Sequence, residues 1–214
     1  MKLHLGCGQR YLEGYINIDF PLSKHTVQRK SVADLYCDIT KLTYKPNSIE
    51  EIRLHHVFEH FDRPTACGLI AAWHSWLIIG GKIHIEVPDF YRTAKVVHSF
   101  FNTMKSKKVA LRHLFGSHEA FWAIHKEGYT KETLLELMSL IGFSDFKVMR
   151  NSWKGTYNIE VIGIKNTNKT YDEYLISIEK YLSGFLVDET EESLLKIWMN
   201  MAKNQLDICL RGHE

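Results

Sequence analysis

The start of the chain contains two short apolar segments, of which the first ends at a glycine turn and the second at an aspartate. Leu3–Leu5 leads directly into Gly6-Cys7-Gly8, and Tyr15–Ile18 ends at Asp19. A Gly-x-Gly turn after a strand lets the backbone approach a ligand closely, and a carboxylate at the next strand end can bind a ribose diol. A third strand-like segment ends in the same way at Asp38. Together these strand ends predict one nucleoside pocket at the edge of an open parallel sheet.

Strand-like and helical segments alternate along the first 165 residues, which predicts an α/β fold with a mostly parallel sheet. The clearest helix is Pro64–Ile79, which Asp62 can cap and which we expect Gly80-Gly81 to end. A second helix is predicted between Thr130 and Gly142. The predicted strands of the first half are Leu3–Leu5, Tyr15–Ile18, Leu35–Cys37, Ile52–Leu54 and Lys82–Val87.

Two further strand-like segments follow the second helix. Phe143–Arg150 and Tyr157–Lys165 are separated by a short loop around residues 152–155, which predicts an antiparallel hairpin at a sheet edge. The pattern changes at Thr170, which forms the capping-box sequence Thr-x-x-Glu and precedes two helices with one apolar stripe. We therefore divide the chain into a domain of residues 1–167 and a helical extension of residues 168–214. The stripe must pack on the sheet domain or on a second copy, so a homodimer through these helices is one expectation.

Charge and cysteine content restrict the classes of partner and compartment. The 27 basic and 25 acidic residues give a net charge of +2, without the dense basic stripe of a nucleic-acid-binding protein. The four cysteines are far apart and form no C-x-x-C pair, which favours reduced thiols. We find no signal peptide and no apolar segment of the roughly 20 residues that a membrane span needs. The sequence therefore predicts a cytoplasmic protein that binds neither nucleic acid nor membrane.

The motifs of residues 2 to about 165 resemble the class I methyltransferases that use S-adenosylmethionine. They are most similar to a group of small bacterial methyltransferases, type-11-like, that are often encoded beside polysaccharide-biosynthesis genes. The resemblance implies a Rossmann-like, seven-stranded, mostly parallel sheet with an antiparallel edge strand. The segments that carry it are Leu3–Gly8, Gly14–Asp19, Asp38-Ile39, His56–His60, Gly80–Lys82, Glu86–Phe90, Gly128–Thr130 and Gly142-Phe143.

The resemblance also implies which residues bind S-adenosylmethionine. Gly6-Cys7-Gly8 would wrap the methionine part of the cofactor, and Asp19 would bind the ribose hydroxyls. Asp38 would accept a hydrogen bond from the adenine amino group, while Ile39 would pack against the ring. His55 and His56, at the end of the fourth predicted strand, would lie beneath the sulfonium.

The resemblance implies methyl transfer to a small molecule or a glycan precursor, with a hydroxyl as the expected acceptor. A base assists a hydroxyl acceptor, and His56 and His125 are the candidates because imidazole titrates near neutral pH. His125 belongs to a cluster with His118, Glu119 and Trp122, and the simpler interpretation of this cluster is surface histidines around a core aromatic pair. An alternative function is a non-catalytic subunit that binds S-adenosylmethionine within a methyltransferase complex.

Two departures from the family pattern raise the question of what closes the site. Only residues 9–14 lie between the glycine turn and the second predicted strand, which is too short for a crossover helix. We also see no N-terminal segment to cover the cofactor. Closure is therefore expected from the predicted loop of residues 102–130, from the C-terminal helices, or from a neighbouring subunit.

The segment His56-Val57-Phe58-Glu59-His60 also matches the H-x-x-E-H motif of inverted zinc proteases. That motif requires one continuous helix through both histidines, whereas here a predicted strand runs into His55 and Pro64 begins a new helix. A zinc hydrolase is accordingly a remote alternative, and the sequence predicts no metal site. The simpler interpretation is that Glu59 and His60 tie the loop after the strand together by hydrogen bonds.

Overall fold

A computed structural model describes residues 1–21, 32–153 and 155–211 of the chain. These residues form one seven-stranded sheet with helices packed against it. The strands are β1 (Lys2–Leu5), β2 (Ile16–Asp19), β3 (Leu35–Tyr36), β4 (Ile49–His55), β5 (Leu77–Pro88), β6 (Phe143–Trp153) and β7 (Thr156–Lys165). The helices are α1 (Arg63–Trp76), α2 (Phe90–His98), α3 (Met104–Phe115), α4 (Lys131–Ile141), α5 (Tyr171–Ser183) and α6 (Glu192–Leu210).

The strand order is β3-β2-β1-β4-β5-β7-β6, and the first five strands in this order are parallel. β7 runs antiparallel to β5, and β6 pairs antiparallel with β7 at the edge. The predicted seven-stranded, mostly parallel sheet with an antiparallel hairpin is thus confirmed. From β1 the chain adds β2 and β3 on one side of the sheet, and it then adds β4 and β5 on the other side, so the order of the strands switches between β1 and β4. Ligands of open α/β sheets bind at such a switch point.

The capping residues that the sequence indicates are found at their predicted helices. The carboxylate of Asp62 accepts a hydrogen bond from the backbone N–H of Thr65 (3.0 Å) at the start of α1. Thr130 and Thr170 form capping boxes at the starts of α4 and α5. Gly142 ends α4 with φ +121°, a backbone conformation that favours glycine. Local sequence therefore sets the ends of these helices.

The predicted helix Pro64–Ile79 is wrong at its C-terminal end. α1 ends at Trp76, and Leu77 already pairs with Ile49 of β4. Glu51 then pairs with Lys82, so residues 78–81 bulge out of the ladder. The glycines that we expected to end the helix instead allow this bulge, where Gly80 has φ +80°. Pairing with β4 outweighs the helical spacing of the apolar residues.

Two connections differ in how well the sequence predicts them. The crossover between β1 and β2 contains no helix, as its length predicts, and the buried Asn17 side chain accepts a hydrogen bond from the Leu12 N–H (2.9 Å). The region of residues 102–130, by contrast, is not simply a loop, because α3 occupies its first half. The remaining segment, residues 116–130, forms the extended part of this insertion.

The C-terminal helices pack on the sheet domain. Tyr174 and Ile178 of α5, and Leu206 of α6, are part of the same hydrophobic core as the sheet. A Cβ at Gly68 of α1 would lie 2.5 Å from the Ala202 carbonyl oxygen, so the absence of a side chain allows the close approach of α1 and α6. Part of the apolar stripe is thus buried within the chain, whereas Met201 is 41% exposed and Leu195 and Trp198 are only partly buried. Residues 212–214 of the predicted extension lie outside the described residues.

No helix within the described ranges has both the length and the apolar character needed to span a membrane.

Candidate active site

A cavity of about 610 Å³ opens at the carboxyl ends of the parallel strands. Its wall is made by the turns after β1, β2, β3 and β4, by the first turn of α1, by the insertion after α3, and by one residue of α6. The lining residues are Gly6, Gly8, Gln9, Asp19, Phe20, Asp38, Ile39, Thr40, His56, Val57, His60, Phe61, Asp62, Thr65, Glu119, Phe121, Trp122, Lys126 and Gln205.

Two glycines shape the turn after β1, each for a different reason. Gly6 has φ +66°, and a Cβ there would lie only 2.3 Å from Cγ2 of Val57. Gly8 has φ +56°, but a Cβ there would meet no protein atom within 4 Å. Gly6 is therefore required by packing against the turn after β4, whereas Gly8 leaves open space in the cavity.

Carboxylates occupy the ends of β2 and β3. Asp19 is only 6% exposed and accepts hydrogen bonds from the backbone N–H groups of Gly8 (2.9 Å) and Phe20 (2.8 Å). Asp38 accepts from the backbone N–H (3.0 Å) and hydroxyl (2.7 Å) of Thr40, and so begins a short 3-10 helix. Each carboxylate oxygen has a second lone pair, so both side chains can accept further hydrogen bonds from a ligand. Ile39 contributes an apolar surface to the same cavity.

Two residues that the resemblance assigns to the cofactor are absent from the cavity wall. Cys7 is buried, and its burial, followed by the charge of Asp19, raises the pKa of the thiol to about 12. His55 points into a polar network instead, where its Nε2 accepts a hydrogen bond from Nε of Arg53 (2.6 Å) and its Nδ1 lies 3.1 Å from Glu86. Their roles as cofactor ligands stay predictions.

His56 lies directly after β4 and lines the cavity. Its backbone has φ +54°, which is uncommon for a residue with a side chain, and strained residues of this kind cluster at active sites. Nδ1 lies 3.1 Å from Oε1 of Glu59, and Nε2 lies 3.7 Å from Oε1 of Glu86. Burial alone would lower the pKa of His56, but the hydrogen bond and charge of Glu59, with the charge of Glu86, raise it.

The insertion after α3 and helix α6 cover the cavity from the other side. Glu119, Phe121, Trp122 and Lys126 belong to the insertion, and Gln205 to α6. Two of the three expected sources of closure, the insertion and the C-terminal helices, therefore contribute to the wall. Gln205 escaped the sequence analysis, although a polar residue within the apolar stripe of α6 is a usable signal.

His125 lies in the insertion but outside the cavity lining. Its ring is 4.7 Å, centroid to centroid, from that of His60, and its Nε2 is 3.9 Å from Oε1 of Glu59. Burial lowers the pKa of His125, and the charge of Glu59 only partly compensates. The structure therefore brings His125 to Glu59 and His60, and its role as a base stays a prediction.

The H-x-x-E-H segment does not form the helix of a zinc protease. β4 ends at His55, and only a 3-10 turn, Phe58–His60, follows before α1 begins. His56 contacts Glu59, whereas Nδ1 of His60 lies 3.2 Å from the carbonyl oxygen of Ile124 in the insertion. The two histidines of the motif thus have separate partners.

Comparison with solved structures identifies the architecture. A methyltransferase from Archaeoglobus fulgidus, described as dependent on S-adenosylmethionine (SAM), superposes with a TM-score of 0.51 at 16% identity, over 77% of this chain and 85% of that one. The fold is that of the class I methyltransferases. The Burkholderia thailandensis 1,6-didemethyltoxoflavin-N1-methyltransferase, solved with its substrate and S-adenosylhomocysteine, gives 0.52 at 14% identity over 78% and 71%.

A third structure with this fold comes from a complex between the Haloferax volcanii Trm112 methyltransferase activator and a methyltransferase. It superposes with a TM-score of 0.51 at 10% identity, over 79% of this chain and 83% of that one. No protein-family model matches the sequence, and no curated protein matches it either. The methyltransferase fold is thus shared with proteins of very different sequence.

Proposed function

We propose that the protein is a methyltransferase that uses S-adenosylmethionine. The observation that carries the proposal is the cavity at the switch point of the methyltransferase fold, where a glycine turn and two strand-end carboxylates meet. Its volume of about 610 Å³ lies within the usual range for small-molecule sites. The positive-φ glycine turn and the acidic strand ends fit a ligand with a ribose and an adenine.

The residues at the strand ends have distinct binding roles in this proposal. Gly8 leaves room for the methionine part, Asp19 accepts hydrogen bonds from the ribose hydroxyls, and Asp38 accepts from the adenine amino group. Ile39 packs against the adenine ring. The bound cofactor would supply a methyl group activated by a positively charged sulfur, so the protein has mainly to position and desolvate the acceptor.

His56 is the side chain that we propose as the base. Because the Glu59 carboxylate can only accept, the neutral imidazole donates its Nδ1–H to Glu59 and keeps the basic lone pair on Nε2. Glu59 is 1% exposed, so this contact fixes the ring from the protein side. The raised pKa of His56 suits a group that takes a proton from a hydroxyl.

The acceptor that we propose is a hydroxyl of a small molecule or a glycan precursor. Phe121 and Trp122 provide aromatic surface at the covered side of the cavity, and Glu119 and Lys126 provide polar groups. Such a mixture of stacking surface and hydrogen-bonding groups suits a polar ring compound. A link to polysaccharide biosynthesis is part of this proposal and rests on the family resemblance alone. The division at residue 167 and a homodimer through the C-terminal helices also stay proposals, and they rest on the capping box at Thr170 and the apolar stripe that follows it.

Calorimetric titration with S-adenosylhomocysteine tests the proposal. We expect binding in the micromolar range to the wild type, and an affinity at least about 10-fold weaker for Asp19→Asn, because a hydrogen bond to a charged group contributes about 1.5–3 kcal/mol. Glu13→Gln is the matched control, since it removes an exposed carboxylate outside the cavity. A wild type that does not bind would contradict the proposal. Binding without turnover on any acceptor would instead favour the non-catalytic subunit.

A further inference from the structure

Glu59 is a buried carboxylate with only one of its oxygens in a hydrogen bond. Its side chain is 1% exposed, and Oε1 contacts His56. Oε2 has no hydrogen-bond partner among the described residues. A buried carboxylate oxygen without a partner is costly, and such an atom in a folded protein requires an explanation, for which an ion is one possibility.

Two imidazoles lie beside this carboxylate. His60 and His125 each offer a ring nitrogen, and the ligand atoms of Glu59, His60 and His125 all lie within 4.8 Å of one another. The distance of 3.9 Å between Glu59 and His125 is too long for a hydrogen bond. A tetrahedral zinc ion holds nitrogen and oxygen ligands about 3.3 Å apart, so side-chain movements of about 1 Å would close the set.

The second nitrogen of His60 has a partner typical of a metal ligand. Nδ1 lies 3.2 Å from the carbonyl oxygen of Ile124, and since a carbonyl can only accept, Nδ1 carries the proton. The lone pair of His60 is then on Nε2. Metal-binding histidines commonly donate their other ring N–H to a carbonyl or carboxylate in this way.

Backbone hydrogen bonds join the turn after β4, which carries Glu59 and His60, to the insertion, which carries His125. The carbonyl oxygen of Glu59 accepts from the N–H groups of Lys126 (2.8 Å) and Glu127 (3.2 Å). The N–H of His125 donates to the carbonyl oxygen of Phe115 (3.1 Å). The side chains of Arg63 and Glu127 form an ion pair at 2.8 Å. The insertion is thus anchored to the turn after β4, which prepositions residues from two distant parts of the chain.

We propose that Glu59, His60 and His125 form a binding site for one divalent transition-metal ion of the zinc class. Two neutral imidazoles and one carboxylate are a ligand set that suits zinc and leaves a fourth position open. The set differs from the H-x-x-E-H interpretation of the sequence, because His125 replaces His56, and it departs from the expectation of no metal. His60 also lines the cavity, so the ion would lie at its wall.

The position suggests a purpose for the ion, and this part rests on the proposed function. At the open position the ion would bind an oxygen of the acceptor and lower the pKa of its hydroxyl. Metal binding itself does not depend on this role.

Titration of the metal-stripped protein with Zn²⁺, in the presence of a competing chelator, tests the site. We expect one ion per chain, and an affinity at least about 100-fold weaker in His60→Gln and in His125→Gln, since even outer-shell partners of metal ligands contribute about 10- to 100-fold. His118→Gln is the matched control, because it removes an exposed histidine from the same insertion. Substitution with Co²⁺ should give the visible absorption of a four-coordinate site in the wild type and the control only.

Zinc binding and cofactor binding are measured separately, so the metal site can fail while the proposed function stands, and the reverse. No zinc binding by the wild type, or equal binding by all variants, would overturn the metal site. Titration of the same samples with S-adenosylhomocysteine reports on the cofactor site independently. Unchanged thermal unfolding of the metal-free variants distinguishes lost ligands from lost structure.

Discussion

The two sides of the cavity differ in how the chain builds them. The strand-end side comes mainly from the first forty residues, where the glycine turn follows β1, Asp19 ends β2 and Asp38 lies two residues after β3. The covered side combines residues 119–126 with Gln205, which are far apart in sequence and meet only through tertiary packing. The strand-end side is therefore local chemistry at the ends of strands, whereas the covered side depends on how the helices dock.

The largest loss of stability that we expect follows from substitution of Gly6, on the strand-end side. Gly6→Ala would add a Cβ 2.3 Å from a methyl of Val57, a stiff β-branched side chain, at a positive φ. We predict a loss of about 3 kcal/mol in the free energy of unfolding, measured by urea denaturation, from about 1–2 kcal/mol of backbone strain and a similar cost of overpacking. Binding of S-adenosylhomocysteine should be abolished.

Two control variants sharpen this prediction. Gly14→Ala has the same kind of backbone, φ +80°, with no atom within 4 Å of the new Cβ, so only the cost of strain should appear. Gly8→Ala should cost equally little stability but weaken ligand binding, because its Cβ would point into the cavity. Equal effects of all three substitutions would show that packing against Val57 is unimportant.

The second largest effect that we expect is a pH dependence of stability, and it arises where the C-terminal helices attach to α1. The covered side of the cavity depends on this attachment. His74 of α1 is buried with Nδ1 2.7 Å from the hydroxyl of Tyr174 in α5, and burial, with the charge of Lys165, lowers its pKa to about 3. Because the unfolded chain binds a proton near pH 6.5 and the folded chain does not, stability falls as the pH decreases below 6.5. The contribution of His74 should be a loss of about 2 kcal/mol at pH 5 relative to pH 7.5.

His74→Gln isolates this contribution. Urea unfolding at both pH values should give a pH dependence smaller by about 2 kcal/mol in the variant. His4, whose pKa burial lowers to about 4, remains in both proteins and so cancels in the difference. An identical pH dependence of the two proteins would contradict a neutral His74 in the folded state.

The smallest effect is expected at Gln205, the contact of α6 with the strand-end side. Its Nε2 donates to the carbonyl oxygen of Thr40 (2.7 Å), next to Asp38 and Ile39. Gln205→Ala should weaken S-adenosylhomocysteine binding about 5-fold, which corresponds to about 1 kcal/mol for one hydrogen bond. Asn204→Ala, an exposed neighbour on the same helix, should have no effect. If Gln205→Ala also had none, the covered side would not support the turn after β3.

The sequence predicts the strand-end side because its signals are local. A glycine at a positive φ or a carboxylate after an apolar strand is visible without knowledge of distant contacts, and so are the caps Asp62, Thr130 and Thr170. The end of α1 was predicted wrongly because pairing of Leu77 with Ile49 is a long-range contact. Glu59 and His125 lie close together only because the insertion docks on the turn after β4. The sequence of neither the turn nor the insertion indicates this contact by itself.

A crystal structure of the protein grown with S-adenosylhomocysteine would show directly whether the cofactor binds at these strand ends. We predict that the ligand occupies the cavity, with its ribose hydroxyls on Asp19 and its adenine against Ile39 and Asp38. Binding at another surface, or an empty cavity at saturating ligand, would contradict the assignment of a cofactor site to the ends of these strands.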